Sequence, residues 1–153
     1  MRFEGTVTIN ADREKVFQHL IDPQFVSQCA PGLESMEVIE PDKSFKAVVS
    51  IGLGSVRATF NADVTIDEVD PPVYARLKAH GKTPGSAVDV TSDMNLVANA
   101  DGSTDLNWSA DVAVVGTIAN LASRLMGGMT KKLSAEFFNC VKSKIETTTE
   151  VEV

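Results

Sequence analysis

The chain has 153 residues, 43% hydrophobic and 23% charged, which suits one domain built around one sizeable core. A formal net charge of −7 excludes the basic surface that nucleic-acid binding requires and disfavours broad electrostatic adhesion to an anionic membrane. The N-terminus "MRFEGTVTIN" has no apolar h-region, and no run approaches the roughly 18 apolar residues of a membrane span. A cytoplasmic protein is expected, and with it reduced thiols at Cys29 and Cys140.

The first element is the alternating run "FEGTVTI". Phe3, Gly5, Val7 and Ile9 share one face and Glu4, Thr6 and Thr8 the other, which predicts a half-buried strand. "NADREKVFQHLID" predicts a short helix with Asn10 as N-cap, Asp12 and Glu14 in the first turn, and an apolar stripe of Val16, Phe17 and Leu20. "DPQFVSQCAPG" predicts a second short helix, capped by Asp22, with Pro23 in its first turn and Pro31-Gly32 as its stop.

Strands are expected from Leu33 to Val115. The clearest is "VRATFNADVTI", in which Val56, Ala58, Phe60, Ala62, Val64 and Ile66 alternate with polar residues. "TDLNWSADVAVV" repeats the pattern with Leu106, Trp108, Ala110, Val112 and Val114, and "FKAVVSI", "VYARLKA" and "VDVTSDMNLVA" follow it more weakly. Turns are expected at "EPDK", "GLGS", "DPP", "GKTPG" and "ADGST". Consecutive alternating strands joined by short turns imply an antiparallel meander with one wet and one buried face.

The last element is a helix from Thr117 to about Ile145. Ile118, Leu121, Ala122, Leu125, Met129, Leu133, Phe137 and Cys140 fall on one stripe, with Arg124, Lys131 and Lys142 opposite. Gly127 and Gly128 interrupt it, and each should cost about 1 kcal/mol relative to alanine. They point away from the stripe, so they predict a backbone weak point: a tolerated kink, a glycine-capped break, or a hinge that lets the first half of the helix lift. "TTTEVEV" reads as a frayed acidic tail, giving one domain over residues 1–146 and a tail over 147–153.

A sheet with one apolar face needs a cover, and this helix is the element long enough to supply it. The expected fold is therefore α+β of the helix-grip kind: a curved antiparallel sheet of about seven strands around a long C-terminal helix, with two short helices after the first strand. The gap between sheet and helix is either filled by large side chains or left as a pocket.

No Cys/His cluster has metal-ligand spacing, His19 and His80 read as ordinary half-exposed histidines, and no serine has an evident His partner. "GLGS" and "GKTPGS" do not open helices, so the dinucleotide-binding pattern fails. No catalytic residue, metal or cofactor is expected. The apolar inventory is more informative. Phe60, Met94, Leu96, Trp108, Ala110, Leu121, Leu125, Met126 and Met129 form a candidate pocket wall. Small inward residues such as Ala58, Ala62, Ala98 and Ala110 leave volume under the helix, and methionines give a wall that adapts to its ligand.

"EGTVTINADREKVFQHLIDP", "CAPGLESMEVI", "SIGLGSVRATFNADV" and "TKKLSAEFF" resemble the carbon monoxide dehydrogenase CoxG family of the START/Bet v 1-like superfamily, from about residue 1 to residue 145. The resemblance implies a non-catalytic accessory protein that binds a hydrophobic ligand, such as a quinone or lipid, and is associated with a molybdenum hydroxylase of the carbon monoxide dehydrogenase type. Family members implicated in membrane attachment often extend beyond the domain; here the sequence stops at Val153 on an acidic tail, so peripheral membrane contact stays open but no anchor is expected. Two other functions compete: an aromatase/cyclase-like enzyme using the same cavity, and a pure assembly module.

Overall fold

The computed structural model describes residues 1–41, 43–53 and 55–151. The elements run β1 (Arg2–Ile9), α1 (Arg13–Leu20), α2 (Pro23–Val26), β2 (Leu33–Glu40), β3 (Ser44–Leu53), β4 (Val56–Asp70), β5 (Tyr74–Thr83), β6 (Ser86–Ala98), β7 (Thr104–Gly116) and α3 (Ala119–Val151). The strands form one seven-stranded antiparallel sheet in the order β1-β7-β6-β5-β4-β3-β2. From β2 to β7 the chain is a meander, as the alternation predicts. β1 then closes on β7, so α1 and α2 carry the chain from one sheet edge to the other.

The two short helices start where local chemistry lets them. The Asp12 carboxylate accepts the Lys15 N–H at 2.8 Å, so Asp12 caps α1. Asn10, the cap expected from sequence, lies too early: Asp12 is the residue with extended backbone and a side chain one turn ahead of Lys15. Asp22 caps α2 as predicted, accepting from the Gln24 N–H at 3.0 Å, with Pro23 in the first turn.

The principal core lies under α1 and the C-terminal half of α3. Val16, Phe17 and Leu20 from α1 meet Val141 and Ile145 from α3 over Ala75, Met94, Leu96 and Leu106 from the sheet. Burying each of the large side chains contributes roughly 1.5–3 kcal/mol. The buried Thr104 hydroxyl donates to the Ala11 carbonyl at 2.8 Å, so this core carries its polar group satisfied. At the β1–β7 pair, Gly5 lies opposite Trp108, and a Cβ on Gly5 would come within 2.9 Å of the indole Nε1. Glycine there lets the ring lie flat along the sheet and stack on Phe138, ring centres 5.5 Å apart.

Four further features differ from the sequence reading. The turn expected across "GKTPG" is confined to Pro84-Gly85: β5 runs to Thr83, which pairs with Ser86, and Gly85 takes the positive φ. Gly81 is therefore a strand residue. α3 begins two residues later than expected, because Thr117 still belongs to a turn in which its N–H bonds the Gly85 carbonyl and the Ile118 N–H bonds the Ser86 hydroxyl. It then runs on through Val151, beyond the expected end at Ile145 and through most of the expected tail; Glu152 and Val153 lie outside the described residues, as do Asp42 of "EPDK" and Gly54 of "GLGS". Gly127 and Gly128 sit inside this continuous helix, exposed, without positive φ and with no atom within 4 Å of a would-be side chain. The glycine-capped break is thereby excluded.

The thiols are the fourth difference. Cys29 and Cys140 form a disulfide, with Cα atoms 5.5 Å apart, rather than two reduced cysteines. Their separation of 111 residues hides the proximity. The turn after α2 lies against the second half of α3, where the Gln28 carbonyl and Cys29 meet Cys140.

Candidate ligand chamber

The N-terminal half of α3 packs less completely on the sheet: Ala122 and Met126 meet Val112, and Leu121 and Leu125 pack toward Ala58 and Phe60. A cavity of about 170 Å³ lies between this half and the sheet. β3 contributes Ile51, β4 Phe60, β6 Val88 and Val90, and β7 Val112 and Val114; Ile118, Ala122, Met126, Met129, Thr130 and Leu133 close it from α3 and its approach. Thr130 brings the one nitrogen- or oxygen-bearing side chain among these residues.

The register explains why side chains leave this space unfilled. Ala62, Gly81, Val88 and Val114 form one row across β4, β5, β6 and β7. β5 runs through the middle of this row, and its residue there has no side chain. Val90 and Val112 continue the wall in the next row, where β5 offers only Ala79. Valines on both sides are stiff at χ1 and do not swing in to fill the gap.

A second hollow, of about 320 Å³, shares Ile51, Met129 and Leu133 with the chamber, so the two adjoin across these three side chains. Pro31, Gly32, Ser50, Gly52, Arg57, Lys132 and Glu136 complete its wall. Gly32 is required in this vestibule. Its φ is +78°, a Cβ would lie 2.3 Å from the Ser50 carbonyl oxygen, and its own carbonyl accepts the Ser50 N–H at 2.8 Å. The disulfide at Cys29 ties the same segment to α3.

The residues singled out from sequence divide. Phe60, Met126 and Met129 line the chamber. Leu121 and Leu125 pack on Phe60 just beside it. Met94, Leu96 and Trp108 belong to the principal core. Ala110 pairs with Phe3 and Ser92, between the two regions, and does not line the chamber. Val88 and Val90 escaped the sequence reading, although their alternation with Met94 and Leu96 along β6 puts all four on one face.

Titratable side chains cluster on the other face of the sheet. His80 bonds Asp89, and Asp93 accepts from both Tyr74 and Arg76. Burial pulls the Asp93 carboxyl upward, but the hydrogen bonds from Arg76 and Tyr74 outweigh it and hold it below the ordinary range. The Tyr74 hydroxyl is pushed up, chiefly by its hydrogen bond to Asp93. His19 sits on α1, its Nδ1 2.8 Å from the Lys15 carbonyl oxygen and its ring edge-on to Phe25. None of these groups lines the chamber.

A family model for the carbon monoxide dehydrogenase protein CoxG matches residues 5–146. The chain belongs to the carbon monoxide dehydrogenase CoxG family. No curated protein matches its sequence significantly. Among solved structures, a conserved protein from Geobacillus kaustophilus superposes on this family member with a TM-score of 0.88 at 26% identity, over 97% of each chain. The Zhui aromatase/cyclase from Streptomyces sp. R1128 gives 0.73 at 15% identity, over 95% of this chain and 93% of that one. A START superfamily protein from Mycobacterium smegmatis gives 0.62 at 16% identity, over 99% of each. The fold is START/Bet v 1-like, and family and fold together suggest a ligand-binding accessory protein. Among the described residues no helix is long and apolar enough to cross a membrane, and no group of three or more metal-ligating side chains gathers.

Proposed function

We propose that this protein holds an apolar small molecule in the chamber under α3 and serves a molybdenum hydroxylase of the carbon monoxide dehydrogenase type. The observation that carries the reading is the lining itself: aliphatic, aromatic and thioether side chains with the single hydroxyl of Thr130. An apolar cavity of about 150 Å³ accepts a benzene-sized guest, and 170 Å³ falls in the same range. A single-ring quinone head fits this size. A larger ring system requires Met126 and Met129, unbranched and adaptable, to move toward the vestibule.

Binding is favoured over catalysis by the same lining. A cyclase acting on an apolar substrate needs a group that can take up or give a proton within about 3 Å of the reacting atom. Thr130 is the only hydroxyl among the chamber residues, and no carboxylate, imidazole, thiol or amine accompanies it. The test is organic extraction of protein purified under native conditions, followed by mass spectrometry. A recurrent apolar compound at near-stoichiometric amount supports the reading. Its absence, together with failure of short-chain quinones to bind, points to an assembly module instead.

A further inference from the structure

The chain is acidic, yet two of the segments that build the chamber are not. No Asp or Glu falls between Asp42 and Asp63, a stretch holding Lys43, Lys46 and Arg57. None falls between Asp111 and Glu136, a stretch holding Arg124, Lys131 and Lys132. Arg57 and Lys132 stand in the vestibule wall. The described ion pairs engage Arg2, Arg76, Lys78, His80 and Lys142, but neither of these two. Glu136 shares the wall and offsets part of their field, leaving two cations against one carboxylate.

An occupant that satisfies both walls has a compact apolar end and an anionic head. We infer that the site selects a small monoanionic amphiphile, a carboxylate carried on a single ring or a short acyl chain, with its head beside Arg57 and Lys132. This rests on the chamber being a binding site, as proposed above. The chamber volume sets the size of the apolar end. The head remains in the open vestibule, so it keeps part of its hydration and avoids the cost of burying a charge. A guanidinium can take a carboxylate through two parallel N–H bonds, and an ammonium adds a point charge. Both side chains are exposed, so the gain is a modest selectivity rather than a tight lock.

The test uses the full chain labelled with 13C at the methionine methyls. Met126 and Met129 report chamber occupancy, and Met94 in the principal core serves as the internal control. The protein is titrated with octanoate, octan-1-ol and octylammonium at low ionic strength and pH 7. Octanoate is expected to bind roughly 3- to 10-fold tighter than octanol, with octylammonium weakest. The advantage should shrink as salt rises and fall to about onefold in the variant carrying Arg57→Gln and Lys132→Gln. The Met94 signal should be unchanged in that variant, which shows that it still folds. Octanol binding as tightly as octanoate, or an advantage that survives both substitutions, overturns the anion selectivity and leaves the apolar chamber standing. If none of the three shifts Met126 or Met129, both readings fall.

Discussion

A methyl group on Gly81 would sit 3.5 Å from the Cβ of Phe60, an ordinary contact distance. Gly81 is buried, extended and in register with Val88, so any side chain placed there points into the chamber. Gly81→Leu should therefore fill the cavity and abolish binding of apolar ligands. The fold should survive with a loss below the roughly 1–3 kcal/mol of overpacking, because the added carbons enter existing space. Urea unfolding alongside ligand titration checks both halves. Loss of the fold would mean that the space closes in solution.

The Cys29–Cys140 bond closes a long loop and should stabilise the protein by about 2–4 kcal/mol over the form carrying Cys29→Ser and Cys140→Ser. Alkylation under denaturing, non-reducing conditions should add no label, and two labels should appear only after reduction. Two labels without reductant would return the protein to the free-thiol state expected from sequence.

Gly127 and Gly128 are helical and unobstructed. Replacing both with alanine should raise stability by roughly 0.5–1 kcal/mol per site, since alanine favours helix and restricts the unfolded chain. Stopped-flow exchange of an apolar probe then separates two meanings. Slower exchange marks a hinge that lets the first half of α3 lift; unchanged exchange marks a tolerated weakness. A fall in stability would contradict the continuous helix.

Asp93 gives a pH signature. Its folded carboxyl is held below the ordinary aspartate value of 3.8, with burial opposing and the Arg76 and Tyr74 hydrogen bonds prevailing. A depressed folded pKa contributes stability that is present above the unfolded value and lost as pH falls through the folded one. Asp93→Asn should thus cost about 1 kcal/mol at pH 7. The gap to the native chain should narrow as pH drops below 3.8. Urea unfolding at pH 7 and pH 3 measures it; a gap that widens in acid would reverse the assignment.

The fold was readable from alternation because the sheet wets one face. Val56 to Ile66 and Leu106 to Val114 write that face directly into the sequence, and the stripe on α3 names its cover. The chamber was less readable. Val88, Val90, Met94 and Leu96 share one face of β6, yet the first pair lines the cavity and the second fills the core. The difference is set by which half of α3 each pair meets, and no local pattern encodes that. Gly81 read as part of a turn, so the missing side chain at the centre of the sheet went unnoticed. Cys29 and Cys140 read as separate thiols because the turn after α2 meets α3 only in the folded chain.

The most direct test of a chamber that holds an apolar molecule is a 13C-methionine spectrum of the protein titrated with a short-chain, single-ring quinone. The account predicts that the Met126 and Met129 methyl signals shift and saturate together while Met94 stays in place, and that Gly81→Leu abolishes the shift. Saturating shifts at Met94 alone, or no shift at Met126 and Met129 up to the solubility limit of the quinone, would contradict it.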